Sequence, residues 1–284
     1  MPAEGKVAIV TGAGRGIGAG IAARLAADGM RIVLADLDHA AAAETAHKLA
    51  GEALAVRCDV SAEADVVACA GQAMERFGRI DVVVNNAGLM TFKALDQWTA
   101  QDWLRVLSVD LVGAAMFTRE AFRRMGEGGA IVNVSSVHAV RTTPQAAPYA
   151  AAKAGLLSLT RSAAIEGRER GIRANAVLPG AIDTAMLWSN PNGRSGVETI
   201  DRVDVGAAAD IAGAVAFLAG DEARFITGAS LAVDGGRLAR LCRRRHRLRR
   251  GGARRWRQGR ACKARNRARN LPRPPPARAR SYPG

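Results

Sequence analysis

Thr11-Gly12-Ala13-Gly14-Arg15-Gly16-Ile17-Gly18 lies between a β-branched run, Val7–Val10, and an alanine-rich stretch that reads as a helix from Ile17 to Asp28. No other segment constrains the fold as much. Glycines allow the tight turn and let backbone approach a ligand closely. The helix start adds free N–H groups and the positive end of its dipole. Gly12, Arg15, Gly16, Ile17 and Gly18 are therefore expected to cradle a pyrophosphate.

The rest of the chain repeats this alternation. Strands are expected at Arg31–Ala35, Ala53–Arg57, Ile80–Val84, Ala130–Val134, Arg173–Val177 and Ser230–Val233. Between them, helices are expected at Ala40–Ala50, Ala62–Phe77, Thr99–Leu111, Gly113–Met125, Tyr149–Glu166 and Asp210–Gly220. Near-continuous apolar strands alternating with helices predict an α/β, Rossmann-like, doubly wound parallel sheet, covered on both faces. On such a sheet ligands bind beyond the carboxyl ends of the strands, where strand order reverses.

Asp36 ends the second strand, 18 residues after Gly18. A carboxylate there accepts both hydroxyls of an adenosine ribose and repels a 2′-phosphate, which favours NAD over NADP. Arg15 is the counterweight, because a cation in the glycine turn attracts that phosphate. Asp38 reads as solvated surface. Asp59-Val60, after the third strand, is placed at the adenine edge or at a helix cap, and Ser61 is an equal cap candidate. Asn86, Ala87 and Gly88 follow Asn85 at the end of the fourth strand and are small enough to lie against a cofactor.

Tyr149 and Lys153 stand four apart on one helix and so share a face. With five lysines in 284 residues, a chance lysine at that offset is roughly a one-in-fifty event. A tyrosine acting as a base near neutrality needs its pKa lowered by about three units, or about 4 kcal/mol, and a neighbouring ammonium acts in that direction. Ser136 follows the Ala130–Val134 strand, where its hydroxyl can hydrogen-bond a substrate oxygen. Tyrosine as general acid/base, with no metal set and no nucleophilic triad, points to hydride transfer.

Taken in order, the glycine turn, Asp36, Asp59, Asn85-Asn86-Ala87-Gly88, Ser136, Tyr149-x-x-x-Lys153, Pro179-Gly180 with Thr184, and Val233-Asp234-Gly235-Gly236 resemble the short-chain dehydrogenase/reductase family over about residues 5–240. The resemblance implies a seven-stranded sheet, a nicotinamide cofactor and a homo-tetramer. It implies that Lys153 also holds the nicotinamide ribose, and that Pro179, Gly180, Ile182 and Thr184 lie along the nicotinamide. It implies interconversion of a secondary alcohol and a ketone, with a 3-oxoacyl reductase using NADP as the alternative. One position departs: the family commonly has asparagine, in a proton relay to the lysine, where this chain has Asp110. An ionised aspartate accepts hydrogen bonds but cannot donate them, so that role is not carried over, and a cofactor-binding sensor with little catalysis stays open.

The loops after Gly88, after Ser136 and from about Ala185 to Val205 are expected to shape the substrate pocket through Met90, Phe92, His138, Thr142, Met186, Leu187 and Trp188. Asn190-Pro191-Asn192-Gly193 reads as a mobile cover. A sugar, a cyclic alcohol and a 3-oxoacyl substrate all remain open.

The formal net charge is +15, which alone suggests a nucleic-acid or membrane partner. Its location argues otherwise. From Arg237 onward there are 19 of the 41 basic residues and none of the 26 acidic ones, leaving the body at net −4. Residues 1–240 form the expected catalytic domain. Residues 241–284 read as an Arg/Pro-rich disordered tail. Its abrupt onset fits an Arg-rich reading frame translated past a shifted stop, and this is favoured over a nucleic-acid-binding role. Cys58, Cys69, Cys242 and Cys262 show no metal spacing. No apolar run approaches the roughly 20 residues of a membrane span, and the N-terminus lacks a signal layout, so a cytoplasmic protein is expected.

Overall fold

A computed structural model describes residues 5–194 and 200–239; the basic tail lies outside the described residues. Strand β1 (Val7–Thr11) leads through the glycine turn into α1 (Gly16–Ala27). Then come β2 (Arg31–Asp36), α2 (His39–His47), β3 (Ala53–Arg57), α3 (Glu63–Phe77) and β4 (Val82–Asn85). Helices α4 (Ala100–Leu107) and α5 (Gly113–Arg124) precede β5 (Ala130–Val134), α6 (Ala147–Glu166) and β6 (Arg173–Pro179). After β7 (Ala181–Ile182) come two short helices, α7 (Ala185–Trp188) and α8 (Pro191–Arg194). Strand β8 (Val205–Gly206), helix α9 (Ala208–Ala219) and strand β9 (Ser230–Val233) complete the order.

Seven strands form one parallel sheet in the order β3-β2-β1-β4-β5-β6-β9. Alternate residues of each strand face opposite sides. On one face Ala8, Val10, Ile32 and Leu34 pack with Ile21 and Leu25 of α1 and Ile211 and Val215 of α9. On the other, Val7, Ile9 and Val33 pack with Val66 of α3, Phe117 of α5 and Ala163 of α6. Full burial of each large aliphatic side chain contributes about 1.5–3 kcal/mol. Because β1 pairs with both β2 and β4, the chain winds outward in both directions from their junction, and the crevice there opens beyond the carboxyl strand ends.

Two features differ from the sequence expectation. The helices expected at Thr99–Leu111 and Gly113–Met125 are one continuous run, joined by a π-type turn at Ser108–Val112 that holds Asp110 buried. Such turns re-aim side chains within a helix, frequently at functional sites. A second, two-stranded sheet pairs β7 with β8. Each of its strands has two residues, too short for period-2 alternation to reveal.

A buried polar chain fixes α6 against the sheet. Asn85 donates to Asn133 across adjacent strands (2.8 Å), Asn133 donates to Thr160 on α6 (2.8 Å), and Thr160 donates to the Leu156 carbonyl (2.7 Å). A directional chain of this kind selects one docking position for the helix.

Candidate active site

A cavity of about 540 Å³ opens beyond the carboxyl ends of β1, β4, β5 and β6. At one end lie Gly12, Arg15, Gly16, Ile17 and Gly18 of the glycine turn. Gly12 and Gly16 have φ of +62° and +57°, where a side chain is strained. A Cβ on Gly18 would stand 2.1 Å from the Gly12 carbonyl oxygen. No side chain caps α1, so its first turn presents amide dipole to the cavity. This suits a pyrophosphate.

Thr11 and Asn86 staple the two strands that meet here. Thr11 Oγ1 accepts from the Asn86 and Ala87 amides, both at 2.9 Å. The Asn86 side chain donates to the carbonyls of Thr11 (2.8 Å) and Gly12 (3.1 Å). Ala87 and Gly88 continue the cavity wall.

Asp36 lies on the wall beside the turn, accepting from the Gly14 amide through one carboxylate oxygen (2.8 Å) and from the Asp38 amide through the other (2.9 Å). Each oxygen retains further acceptor capacity for a ribose hydroxyl. Asp38, read from the sequence as solvated surface, accepts from the Ala41 amide (3.1 Å), caps α2 and forms an ion pair with Arg15. Asp59 and Val60 line the same end. Asp59 Oδ1 closes a turn by accepting from the Ser61 amide (2.9 Å) and hydroxyl (2.6 Å). Neither residue caps α3, whose cap position is Ala62 with no side-chain hydrogen bond. Pro179, Gly180, Ile182 and Thr184 form the far wall. There Thr184 caps α7, accepting from the Leu187 amide (3.4 Å).

Ser136, Tyr149 and Lys153 meet at the other end, and all three are buried. Helix α6 starts one turn fraction earlier than expected, with Pro148 in its first turn, a position that tolerates a missing N–H. Ser135 Oγ donates to the Lys153 carbonyl (2.8 Å), which ties this helix to the end of β5. Lys153 Nζ donates to the Val134 carbonyl (3.2 Å) and lies 5.6 Å from the centre of the Tyr149 ring. It also lies 3.3 Å from Asp110 Oδ2 in an ion pair sequestered from solvent. Asp110 Oδ1 accepts from the Leu89 amide (2.8 Å), so one carboxylate holds both the lysine and the segment following β4. Gly88 makes room for this contact: a Cβ there would stand 2.9 Å from Asp110 Oδ2 and 3.1 Å from Lys153 Nζ.

These contacts set the electrostatics. Burial pushes the Tyr149 phenol above its ordinary pKa; Lys153 draws it down, Asp110 pushes it further up, and a hydrogen bond with Ser136 draws it down. Burial likewise raises the Asp110 carboxyl, opposed by Lys153 and the Leu89 amide. Lys153 thus acts on Tyr149 in the expected direction, against burial and the Asp110 carboxylate.

Of the residues expected at the substrate, Met90, His138, Met186 and Leu187 line the cavity; Phe92, Thr142 and Trp188 do not. The His138 ring meets Tyr149 edge-on at 5.6 Å, and its Nδ1 is 3.0 Å from Thr142 Oγ1, so Thr142 stands behind the histidine. The Trp188 indole N–H donates to Asp183 (2.6 Å), which aims the ring away from the cavity. In the expected mobile cover, the Asn192 side chain is buried and donates to the Pro144 carbonyl (2.8 Å), fastening α8 to the loop before α6.

Comparison with known proteins places this geometry. Residues 12–237 match the family described as enoyl-(acyl carrier protein) reductase. The chain is 40% identical to 3beta-hydroxysteroid dehydrogenase 1 of Eggerthella lenta, over 82% of this chain and 94% of that protein. It is 42% identical to cis-4-hydroxycyclohexanecarboxylate dehydrogenase of Sinomonas cyclohexanicum, over 81% and 96%. Among solved structures, blue fluorescent protein from a metagenomic library in complex with NADPH superposes with a TM-score of 0.75 at 38% identity, over 83% of this chain and 99% of that one. The parallel sheet, the glycine turn and these similarities agree, and the chain belongs to the short-chain dehydrogenase/reductase family of NAD(P)-dependent oxidoreductases.

Proposed function

We propose that the protein is an NAD-linked dehydrogenase/reductase that interconverts a secondary alcohol and its ketone. The observation that carries this reading is the convergence of Ser136, Tyr149 and Lys153 in a cavity whose other end is the glycine turn. A nicotinamide held between these two ends would supply the hydride chemistry. Ser136 Oγ hydrogen-bonds the substrate oxygen and Tyr149 Oη takes its proton in oxidation or returns it in reduction. Lys153 favours the phenolate by its charge and holds the nicotinamide ribose. Asp110 fixes the lysine from behind.

Asp36 supports NAD over NADP, because its carboxylate stands where a 2′-phosphate would be repelled. Met90, Met186 and Leu187, with His138 as the polar element, suit a compact and largely apolar alcohol. The relatives named for a hydroxysteroid and a hydroxycyclohexanecarboxylate support a cyclic one.

Residues 1–240 are taken as the catalytic domain and the basic tail as an appendage outside its chemistry, with no nucleic-acid partner required. Two separate sets of exposed apolar residues support a homo-tetramer built from two kinds of contact: Phe225 and Leu231 by the edge strand β9, and Leu104 and Ile165 on α4 and α6. Free, buried Cys58 and Cys69 suit a reducing compartment such as the cytoplasm, and no helix among the described residues is long and apolar enough to cross a membrane.

The test is a panel of cyclic alcohols, polyols and 3-hydroxyacyl thioesters with NAD and NADP, followed by the absorbance of reduced nicotinamide. NAD-dependent turnover of a cyclic secondary alcohol is expected, together with its loss by at least about a thousandfold in Tyr149→Phe. Turnover that survives this substitution overturns the assignment of Tyr149.

A further inference from the structure

Just outside the adenosine end of the cavity stands a carboxylate, Asp38, that the assignment of Asp36 does not use. Asp38 stands just beyond β2 and is anchored at three points. Its amide donates to Asp36 Oδ1 (2.9 Å), its Oδ1 accepts from the Ala41 amide at the start of α2 (3.1 Å), and its Oδ2 binds the Arg15 guanidinium. The last turn of α2 is itself fastened to the glycine turn, because Thr45 Oγ1 donates to the Gly14 carbonyl (2.9 Å). Arg15 is the cation that the glycine turn supplies to the cavity wall, and the one whose position in the turn would oppose the selection made by Asp36.

We propose that Asp38 is a second determinant of dinucleotide choice, which acts by holding the Arg15 guanidinium away from a 2′-phosphate. This rests on the reading that the protein prefers NAD. Asp36 repels the phosphate directly. Asp38 removes the compensation, since an arginine engaged by a carboxylate must give up that ion pair before it can serve as a phosphate ligand, and it brings little net charge to the site. Asp36, Asp38 and Asp59 against Arg15 thus leave this end net negative around the ribose. Specificity built from a repulsive element plus withdrawal of the attractive one exceeds what either supplies alone. The contact is solvent-exposed, so its worth for stability is small. Its effect is on the difference between two ligands that are alike except at one phosphate.

The experiment uses the full-length protein and measures the affinities of NADH and NADPH by calorimetry for the wild type, Asp38→Asn, Arg15→Ala/Asp38→Asn and Asp36→Ser/Asp38→Asn. Asparagine keeps an oxygen for the Ala41 amide and removes only the charge. The expected result is a rise of about fivefold in the NADPH-to-NADH affinity ratio for Asp38→Asn, and loss of that rise when Arg15 is also replaced. The Asp36→Ser/Asp38→Asn variant is expected to bind NADPH more tightly than NADH. High salt should shrink the gain, as befits a contact with phosphate. An unchanged ratio in Asp38→Asn overturns the proposal. So does a rise that persists without Arg15, because it would show the charge of Asp38 acting alone. A wild type that binds NADPH more tightly than NADH overturns the preference for NAD itself, and is distinguishable from the first two results.

Discussion

Replacing Asp110 by asparagine removes one buried negative charge, and with it the ionic half of its contact with Lys153, while keeping the shape of the side chain. The amide oxygen can still accept from the Leu89 N–H, now 2.8 Å from Asp110 Oδ1, and the volume is nearly the same. The carboxylate touches Lys153 Nζ at 3.3 Å, and Nζ lies 5.6 Å from the Tyr149 ring centre, so the carboxylate is within about 9 Å of that ring; at an effective dielectric constant of roughly 20 it opposes a phenolate by about 2 kcal/mol. Asp110 pushes the Tyr149 pKa up, so its neutralisation must bring that pKa down. Oxidation uses the phenolate, and its rate rises with pH through the Tyr149 pKa. The acidic limb of kcat/KM for alcohol oxidation should therefore move to lower pH in Asp110→Asn. Below the limb the variant should be faster by about tenfold. Reduction uses the protonated phenol, so its basic limb should move down as well. Because burial raises the Asp110 carboxyl too, the difference is greatest where Asp110 is ionised and fades as it becomes protonated. A full pH profile in both directions, with NADH binding and thermal melting as controls for folding, decides the matter. An unmoved limb, or one displaced to higher pH, would refute the electrostatic reasoning.

Three further outcomes follow from individual contacts. Gly88→Ala places a methyl 2.9 Å from Asp110 Oδ2 and 3.1 Å from Lys153 Nζ; turnover should fall by at least about tenfold, with a smaller loss in melting temperature, and steady-state kinetics beside a thermal melt would expose the opposite pattern. Ser135→Ala leaves the Lys153 carbonyl without its 2.8 Å donor, and chemical denaturation should record a loss of about 1 kcal/mol together with a lower kcat. Asp102, held to about 2 by Lys93 and by the amide and hydroxyl of Thr99, should titrate by carboxyl NMR near that value and not near 3.8. Its folded pKa is depressed, so its share of stability is present above 3.8 and lost as pH falls toward 2, and Lys93→Ala should bring the midpoint back up.

Much of this was legible in the chain because the chemistry depends on local spacing. Turn glycines lie within one loop, Tyr149 and Lys153 within one helical turn, and Asp36 at a strand end that its β-branched run defines. Each of these reads from neighbours in sequence. The pairing of Lys153 with Asp110 does not: only the family resemblance set that position near the lysine, because it joins α6 to a π-type turn whose extra residue no 3.6-residue periodicity reveals. The double attachment of Asp38, which read as solvated surface, was hidden for a related reason: the aim of a long arginine side chain from another loop depends on tertiary structure. Loop side chains were the least legible. Met186 and Leu187 face the cavity while Trp188, next in sequence, is drawn off by Asp183. A composition that is apolar throughout does not say which of three neighbours turns inward.

The central claim is hydride transfer to a nicotinamide with Tyr149 moving the proton, and isotope transfer tests it most directly. A cyclic secondary alcohol deuterated at its carbinol carbon is incubated with NAD and either the wild type or Tyr149→Phe, and the reduced cofactor is analysed by mass spectrometry. One deuterium per reduced nicotinamide is expected with the wild type and none with Tyr149→Phe, although both bind NADH. Deuterium released to solvent by the wild type, or labelled cofactor formed by Tyr149→Phe at a comparable rate, would contradict it.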